Sequence, residues 1–139
     1  MSNLHLSGSC LCGSIAYEIS GDALHFNHCH CERCRKASGT GHATNIIMKP
    51  TSVSWTAGED LLKRYKVPEA KRFATVFCSV CGSLMPRVAP DNSIAVIPAG
   101  TLDNDPGIRP ERRIFQGSRV EWSCAANDVP SFDTYPPSS

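Results

Sequence analysis

Cysteine is the residue type through which this chain could do the most chemistry. Seven of its eight cysteines fall into three short clusters: Cys10-Leu11-Cys12-Gly13, Cys29-His30-Cys31-Glu32-Arg33-Cys34 and Cys78-Ser79-Val80-Cys81-Gly82. In an extended segment, side chains two residues apart point the same way, and a Cys-x-x-Cys turn also presents both sulfurs to one ion. These spacings are typical of thiolate ligands, so they predict zinc binding.

The first and third clusters together supply four sulfur ligands, Cys10, Cys12, Cys78 and Cys81. A glycine follows each pair, and glycine adopts turn conformations that other residues resist. Four thiolates at about 2.3 Å from the ion form a closed tetrahedral site, which is the composition of structural zinc. We therefore predict that this site joins two distant parts of the chain and contributes to folding.

The middle cluster has three sulfurs, from Cys29, Cys31 and Cys34, and no fourth cysteine nearby. Three protein ligands and an open fourth position are the pattern of a catalytic zinc. We therefore predict two zinc ions per chain and assign these three cysteines to the catalytic one. If a histidine or Cys124 supplies a fourth ligand instead, the second site is closed and structural.

The histidines near the middle cluster are weaker candidates. His28 and His30 alternate with the cysteines, so in an extended segment they face away from the sulfurs, around the site or at the surface. His42, beyond the 39–41 loop, is the histidine that could close the second site. Cys124 stands apart from the clusters and is expected to be a small buried hydrophobe.

Composition limits the classes of partner. The formal net charge is +1, so nucleic acid and anionic membranes are not favoured partners. No apolar run approaches the roughly 20 residues of a membrane span, and residues 1–8 lack a basic leader and an apolar region. We therefore expect a cytoplasmic protein, and thiols stay reduced in the cytoplasm.

Short apolar segments separated by turn residues predict a mainly β domain. The predicted strands cover residues 15–19, 46–48, 53–55, 62–67, 73–77, 84–88, 94–97 and 114–115. One short helix is expected over Glu32–Ser38, ended by Gly39. We expect one domain, residues 1–139, with a core of about 8–132 and an extended tail at 133–139.

The three clusters, in this order, resemble the glutathione-dependent formaldehyde-activating enzyme family, also called the centromere protein V family. Ala99-Gly100-Thr101-Leu102-Asp103 and Trp122 followed by Pro130-Ser131-Phe132 support the resemblance, which runs from about residue 8 to 132. It implies an Mss4-like fold, a β-tent of antiparallel sheets tied by zinc, and the same division of ligands between two ions. It also implies carbon–sulfur lyase chemistry, in which formaldehyde is joined to glutathione or released from it.

The chain departs from the family at one position. Members often carry a Pro-x-x-His-Ile stretch before the late tryptophan, whereas this chain has Pro110-Glu111-Arg112-Arg113-Ile114. Arg113 therefore stands where that histidine would be.

The partners implied by the resemblance are a small thiol such as glutathione and a small aldehyde. Glutathione carries two carboxylates, so we expect basic side chains near the second cluster. The candidates are Arg33, Arg35 and Lys36, with Arg72 and Arg113 further away. Two other functions fit the same residues, a non-enzymatic zinc-stabilised binding or scaffold module and a thiol-redox enzyme that uses Cys124.

Overall fold

The computed structural model describes residues 3–123 and 129–137. In chain order the elements are β1 (Asn3–Ser9), β2 (Ala16–Cys29), α1 (Glu32–Ser38), β3 (Ala43–Ala57), β4 (Leu62–Lys66), β5 (Ala74–Cys78), β6 (Leu84–Met85), β7 (Arg87–Val88), β8 (Ala95–Pro98) and β9 (Arg112–Ile114). Short 3-10 turns lie at Glu59–Leu61, Ala99–Thr101 and Gln116–Ser118. The predictions of a mainly β protein and of a helix over Glu32–Ser38 are confirmed.

The strands form two sheets. The larger one has the order β1-β2-β3-β8-β7 with antiparallel neighbours, and β9 adds to β2 in parallel. The smaller sheet has the antiparallel order β4-β5-β6. Helix α1 connects the paired ends of β2 and β3, where Cys29 lies opposite Ala43. The second cysteine cluster is therefore placed at one end of the longest pair of strands.

Strand β3 corrects the prediction of two short strands, 46–48 and 53–55, because it runs unbroken through Pro50. The strand tolerates this proline where its register with β2 shifts, between Ser20 and Gly21. Gly21 has φ 155°, and a Cβ there would lie 2.2 Å from the Lys49 carbonyl oxygen. Only glycine fits this close approach of the two backbones.

Two further strand predictions need correction. The segment 84–88 is divided at Pro86 into β6 and β7, which belong to different sheets. Strand β1 and the second half of β2 were not predicted, although Leu4 and Leu6 of β1 are buried. A change of sheet at a proline and pairing with a distant strand depend on tertiary contacts, which a short stretch of sequence does not reveal.

Two clusters of buried side chains stabilise the sheets. The larger one lies on the six-stranded sheet and contains Leu4, Leu6, Tyr17, Ile19, Ala23, Phe26, Ile46, Met48, Ala95 and Ile97. The smaller one contains Cys10, Ile15, Cys78 and Met85. The first predicted metal site is thus part of the apolar packing between the two sheets.

Tyr17 makes the stability of the larger cluster sensitive to alkaline pH. Its ring is 1% exposed and its hydroxyl lies 2.6 Å from Thr101 Oγ1. Burial raises the pKa of Tyr17 to about 12, from an ordinary value of 10.0. The folded protein holds this proton more tightly than the unfolded chain does. The contribution of Tyr17 to the free energy of unfolding is therefore complete below pH 10 and is lost as the pH rises towards 12.

We expect the free energy of unfolding to fall by about 1 kcal/mol between pH 9 and 11 because of this residue. Urea titrations at each pH measure the fall. Tyr17→Phe is the control, because it keeps the ring and removes the ionisable group. A variant with the same pH profile as the wild type would show that Tyr17 is not the cause.

Candidate functional site

The first group of cysteines has the dimensions of a tetrahedral zinc site. The sulfur atoms of Cys10, Cys12, Cys78 and Cys81 all lie within 4.8 Å of one another. The Cys10–Cys12 sulfur distance is 3.6 Å and the Cys12–Cys78 distance is 3.9 Å. A tetrahedron with zinc–sulfur bonds of about 2.3 Å has sulfur–sulfur edges of about 3.8 Å, whereas a disulfide bond is about 2.05 Å long. The four residues therefore fit a zinc ion and not a disulfide.

The two turns that carry these cysteines have the same local construction. The Gly13 N–H donates to the Cys10 carbonyl and the Gly82 N–H donates to the Cys78 carbonyl. Both glycines have φ 79° with open space around a Cβ, so the conformation and not a clash requires glycine. Backbone N–H groups also point at the sulfurs, as in Ile15 N–H to Cys10 Sγ at 3.3 Å.

Hydrogen bonds lower the pKa of two thiols in the first site. Hydrogen bonding from Ser83, whose Oγ lies 3.2 Å from Cys81 Sγ, lowers the pKa of Cys81 to about 5. Hydrogen bonds from Ser14 likewise lower the pKa of Cys12. Metal ligands must be thiolates, so hydrogen bonds that favour the thiolate also favour metal binding.

The second group contains Cys29, Cys31 and Cys34, whose sulfurs also lie within 4.8 Å of one another. Cys29 ends β2, Cys31 caps α1, and Cys34 lies in its first turn. The Cys34 N–H donates to Cys31 Sγ at 3.3 Å, which fixes the sulfur at the start of the helix. The strand end and the helix start thus bring three ligands together, as the spacing predicts.

The electrostatics of the second group fit a cation. Burial raises the pKa of Cys29 and of Cys34, and the neighbouring cysteines raise that of Cys34 further. Burial also opposes ionisation of Cys31, but hydrogen bonds from Cys34 and Cys29 lower its pKa on balance. Three thiolates this close repel one another, and a divalent cation between them removes that repulsion. The residues present therefore could hold a zinc ion.

Among residues 3–123 and 129–137, no histidine or carboxylate joins this group of three sulfurs. His42 packs instead against His28 and His30, with ring centroids 4.2 and 5.0 Å apart. Cys124, the other candidate ligand, lies outside the described residues. Within the described chain, the second site has three candidate ligands.

Of the two positions expected for His30, around the site or at the surface, its complete burial excludes the surface. No hydrogen bond of normal geometry reaches either ring nitrogen from the described residues. Burial, with the charges of His42 and Arg113, lowers the pKa of both His28 and His30. Arg113, which lies opposite His28 in the β2–β9 register, thus favours neutral histidines behind the cysteine cluster.

A cavity of about 510 Å³ opens onto the second cluster. Its lining residues are Asn27, Cys29, Cys31, Glu32, Arg33, Cys34, Asn45, Ile47, Phe73, Arg87, Val96, Ile114, Phe115 and Ser118. Mostly apolar walls with a few polar groups are typical of a small-molecule site, and this volume lies within the usual range. We call this space the thiol cavity.

The basic residues predicted near the second cluster are only partly there. Arg33 lines the thiol cavity, whereas Lys36 lines a neighbouring cavity of about 410 Å³. Arg35 lines neither and has a buried Nε without a hydrogen-bond partner in the described chain. Arg72 lines a third cavity. Arg87 lines the thiol cavity from β7 and was not predicted, because no local motif marks it.

No helix among the described residues is long and apolar enough to cross a membrane. Comparison with solved structures finds a Rhodobacter sphaeroides protein whose crystal structure is 20% identical in sequence, with a TM-score of 0.52. The match covers 78% of this chain and 98% of that one, and it shows a shared fold. No curated protein gave a significant match.

The comparison with protein families supports the resemblance seen in the cysteine clusters. The family model described as glutathione-dependent formaldehyde-activating enzyme matches residues 5–118. This range includes both groups of cysteines and every residue that lines the thiol cavity. The chain therefore belongs to the glutathione-dependent formaldehyde-activating enzyme family.

Proposed function

We propose that this protein is a zinc-dependent carbon–sulfur lyase acting on glutathione or another small thiol and on formaldehyde or a related aldehyde. The observation that carries the proposal is the second cluster, where three cysteines face a cavity of about 510 Å³ without a fourth described ligand. Family membership supports the choice of substrates. A cluster closed by protein ligands would favour a binding or scaffold module instead.

The reaction needs one bond between sulfur and carbon. The thiol sulfur attacks the carbonyl carbon, a carbon–sulfur bond forms, and the carbonyl π bond opens. The proton released from the thiol ends on the former carbonyl oxygen, which gives S-hydroxymethylglutathione from formaldehyde and glutathione. The lyase direction reverses each of these changes.

A zinc ion held by Cys29, Cys31 and Cys34 would supply the lowered thiol pKa that makes the substrate a thiolate at neutral pH. The surrounding side chains have a separate task. Apolar groups such as Phe73 and Ile114 line the cavity and reduce access of water to the sulfur. The aldehyde is small enough to approach beside the bound thiol.

Asn27 is the side chain placed to hold the aldehyde oxygen. It is 4% exposed, lines the thiol cavity, and accepts a hydrogen bond from Arg112 Nε at 2.7 Å through its own Oδ1. Since Oδ1 is taken by Arg112, the amide NH₂ is left to donate. A donor facing the carbonyl oxygen stabilises the negative charge that develops there during attack.

Replacement of zinc by Co²⁺ tests whether the second site takes a thiol. Each added sulfur ligand strengthens the thiolate-to-cobalt charge-transfer absorption, so glutathione should raise it in the wild type. The apparent affinity should increase with pH, because the bound form is the thiolate. S-methylglutathione, which keeps the carboxylates and blocks the sulfur, should leave the absorption unchanged.

Cys31→Ser should abolish the glutathione response while the first site keeps its absorption. Formation of S-hydroxymethylglutathione, followed by NMR with ¹³C-formaldehyde, should be lost in the same variant. A wild-type cobalt spectrum indifferent to glutathione would point to a closed site and favour the scaffold function.

A further inference from the structure

A second cavity of about 400 Å³ lies beside the thiol cavity and is strongly basic. We call it the basic groove; its charged lining residues are Arg64, Lys66, Lys71, Arg72 and Arg87. The other residues that line it are Val88, Ala89, Pro90, Ser93 and Ile94. No carboxylate lines the groove, although the whole chain has almost balanced charge. This concentration of positive charge predicts an anionic ligand.

The fold brings these cations together from three segments. Arg64 and Lys66 alternate on one face of β4, Lys71 and Arg72 follow in the turn before β5, and Arg87 comes from β7 of the other sheet. Lys66 is held in place because its Nζ donates to the Val67 and Ala70 carbonyls at 3.0 and 2.5 Å. The groove is therefore built at the junction of the two sheets.

The positive charges of the groove are not neutralised within the described chain. The ion pairs that join described residues lie elsewhere, at His5–Glu18, His25–Glu111 and Asp105–Arg109. Cations gathered without counter-charges repel one another, and a bound anion relieves that repulsion. Carboxylates and phosphates are the anions that arginine binds with paired hydrogen bonds.

Arg87 connects the basic groove to the thiol cavity, because it lines both. Because it lines both spaces, this guanidinium lies between the sulfur cluster and the other cations. An extended tripeptide spans about 10 Å from end to end, and glutathione carries its sulfur on the central residue, so each carboxylate lies only about half that distance from the sulfur. Arg87 is the one groove residue that also lines the thiol cavity, so it is the groove cation that such a ligand meets first.

We propose that the basic groove binds the carboxylates of the thiol substrate, with Arg87 as the first contact beyond the sulfur. The inference rests on the proposed function and narrows it to one substrate class: extended thiols that carry at least two negative charges. Neutral thiols of similar size are then poor substrates. Free phosphate is the other anion that the same chemistry could accept, and the experiment separates the two.

The test compares glutathione with its diethyl ester, which keeps the thiol and lacks both carboxylates. Binding to the cobalt-loaded protein is followed by charge-transfer absorption. In the wild type, the ester should bind about 10- to 100-fold more weakly than glutathione. In Arg87→Gln, the binding of glutathione should weaken several-fold towards that of the ester, because the first of the five groove cations is lost, and the ester should be much less affected.

Lys63→Gln is the matched control, since it removes the same charge from the opposite face of β4 and from outside the groove. It should keep the full preference for glutathione over the ester. An undiminished preference for glutathione in Arg87→Gln would overturn the proposal. Equal binding of glutathione and the ester to the wild type would also overturn it. Tight binding of inorganic phosphate in that case would assign the groove to a separate anion.

A second measurement separates failure of the groove proposal from failure of the proposed function. If neither thiol changes the cobalt spectrum, the groove is still tested by S-methylglutathione, whose carboxylates are intact. It should shift the amide NMR signals of Arg64, Lys66 and Arg87 in the wild type, and the shifts at Arg64 and Lys66 should need a higher ligand concentration in Arg87→Gln. Absence of such shifts in the wild type would show that the groove does not bind these carboxylates.

Discussion

Cys81→Ser should prevent stable folding, whereas Cys34→Ser should leave a folded protein. Cys81 belongs to the four-sulfur group that joins the turn after β1 to the turn after β5. Structural zinc in small domains contributes about 10–16 kcal/mol of apparent binding free energy, which exceeds the roughly 5–15 kcal/mol of net stability of a typical domain. Loss of one of its four ligands weakens zinc binding, and because this binding free energy is folding free energy, we expect the variant to lose its stable fold.

Cys34 belongs to a local group within six residues of sequence, so its ligands close no long loop. Near-ultraviolet circular dichroism and thermal melts compare the two variants. Val80→Ser is the control for the first site, because Val80 lies in the same turn but is 63% exposed and is not a ligand. Equal destabilisation by Cys81→Ser and Cys34→Ser would contradict the division into a structural and a functional site.

The features that the sequence predicted correctly are those encoded locally. Helix Glu32–Ser38 has its stop signal in the next residue, Gly39, which takes φ 73° at the helix end. The grouping of cysteines could be predicted because strand alternation and Cys-x-x-Cys turns determine where two sulfurs point, whatever the rest of the fold does. The grouping of the cysteines was therefore easier to infer than the strand boundaries.

The features that were missed depend on contacts between distant segments. Pro50 suggests a strand end, yet β3 continues because Gly21 of the paired strand accommodates the bulge. Arg87 has no neighbours in sequence that suggest a ligand site, and it reaches the second cluster only because the chain changes sheet at Pro86. The basic residues nearest in sequence, Arg35 and Lys36, do not line this cavity.

Zinc should leave the protein in two separate steps, with about one ion in each. The first site has four sulfur ligands and two of its cysteines, Cys10 and Cys78, are buried in the apolar packing between the sheets. The second site has three described ligands and faces an open cavity, so a chelator can reach the ion directly. An ion in an open site exchanges faster than one in a closed tetrahedron, and we expect rates that differ by on the order of 100-fold or more.

Zinc transfer to a coloured chelator, followed in time, measures both steps, and native mass spectrometry gives the number of ions at the start. Cys34→Ser should show the slow step alone, because only the first site remains complete. Glutathione should slow the fast step in the wild type by supplying a fourth sulfur, and S-methylglutathione should not. Release of both ions at one rate, or a single ion at the start, would show that the two groups of cysteines do not form one closed and one open site.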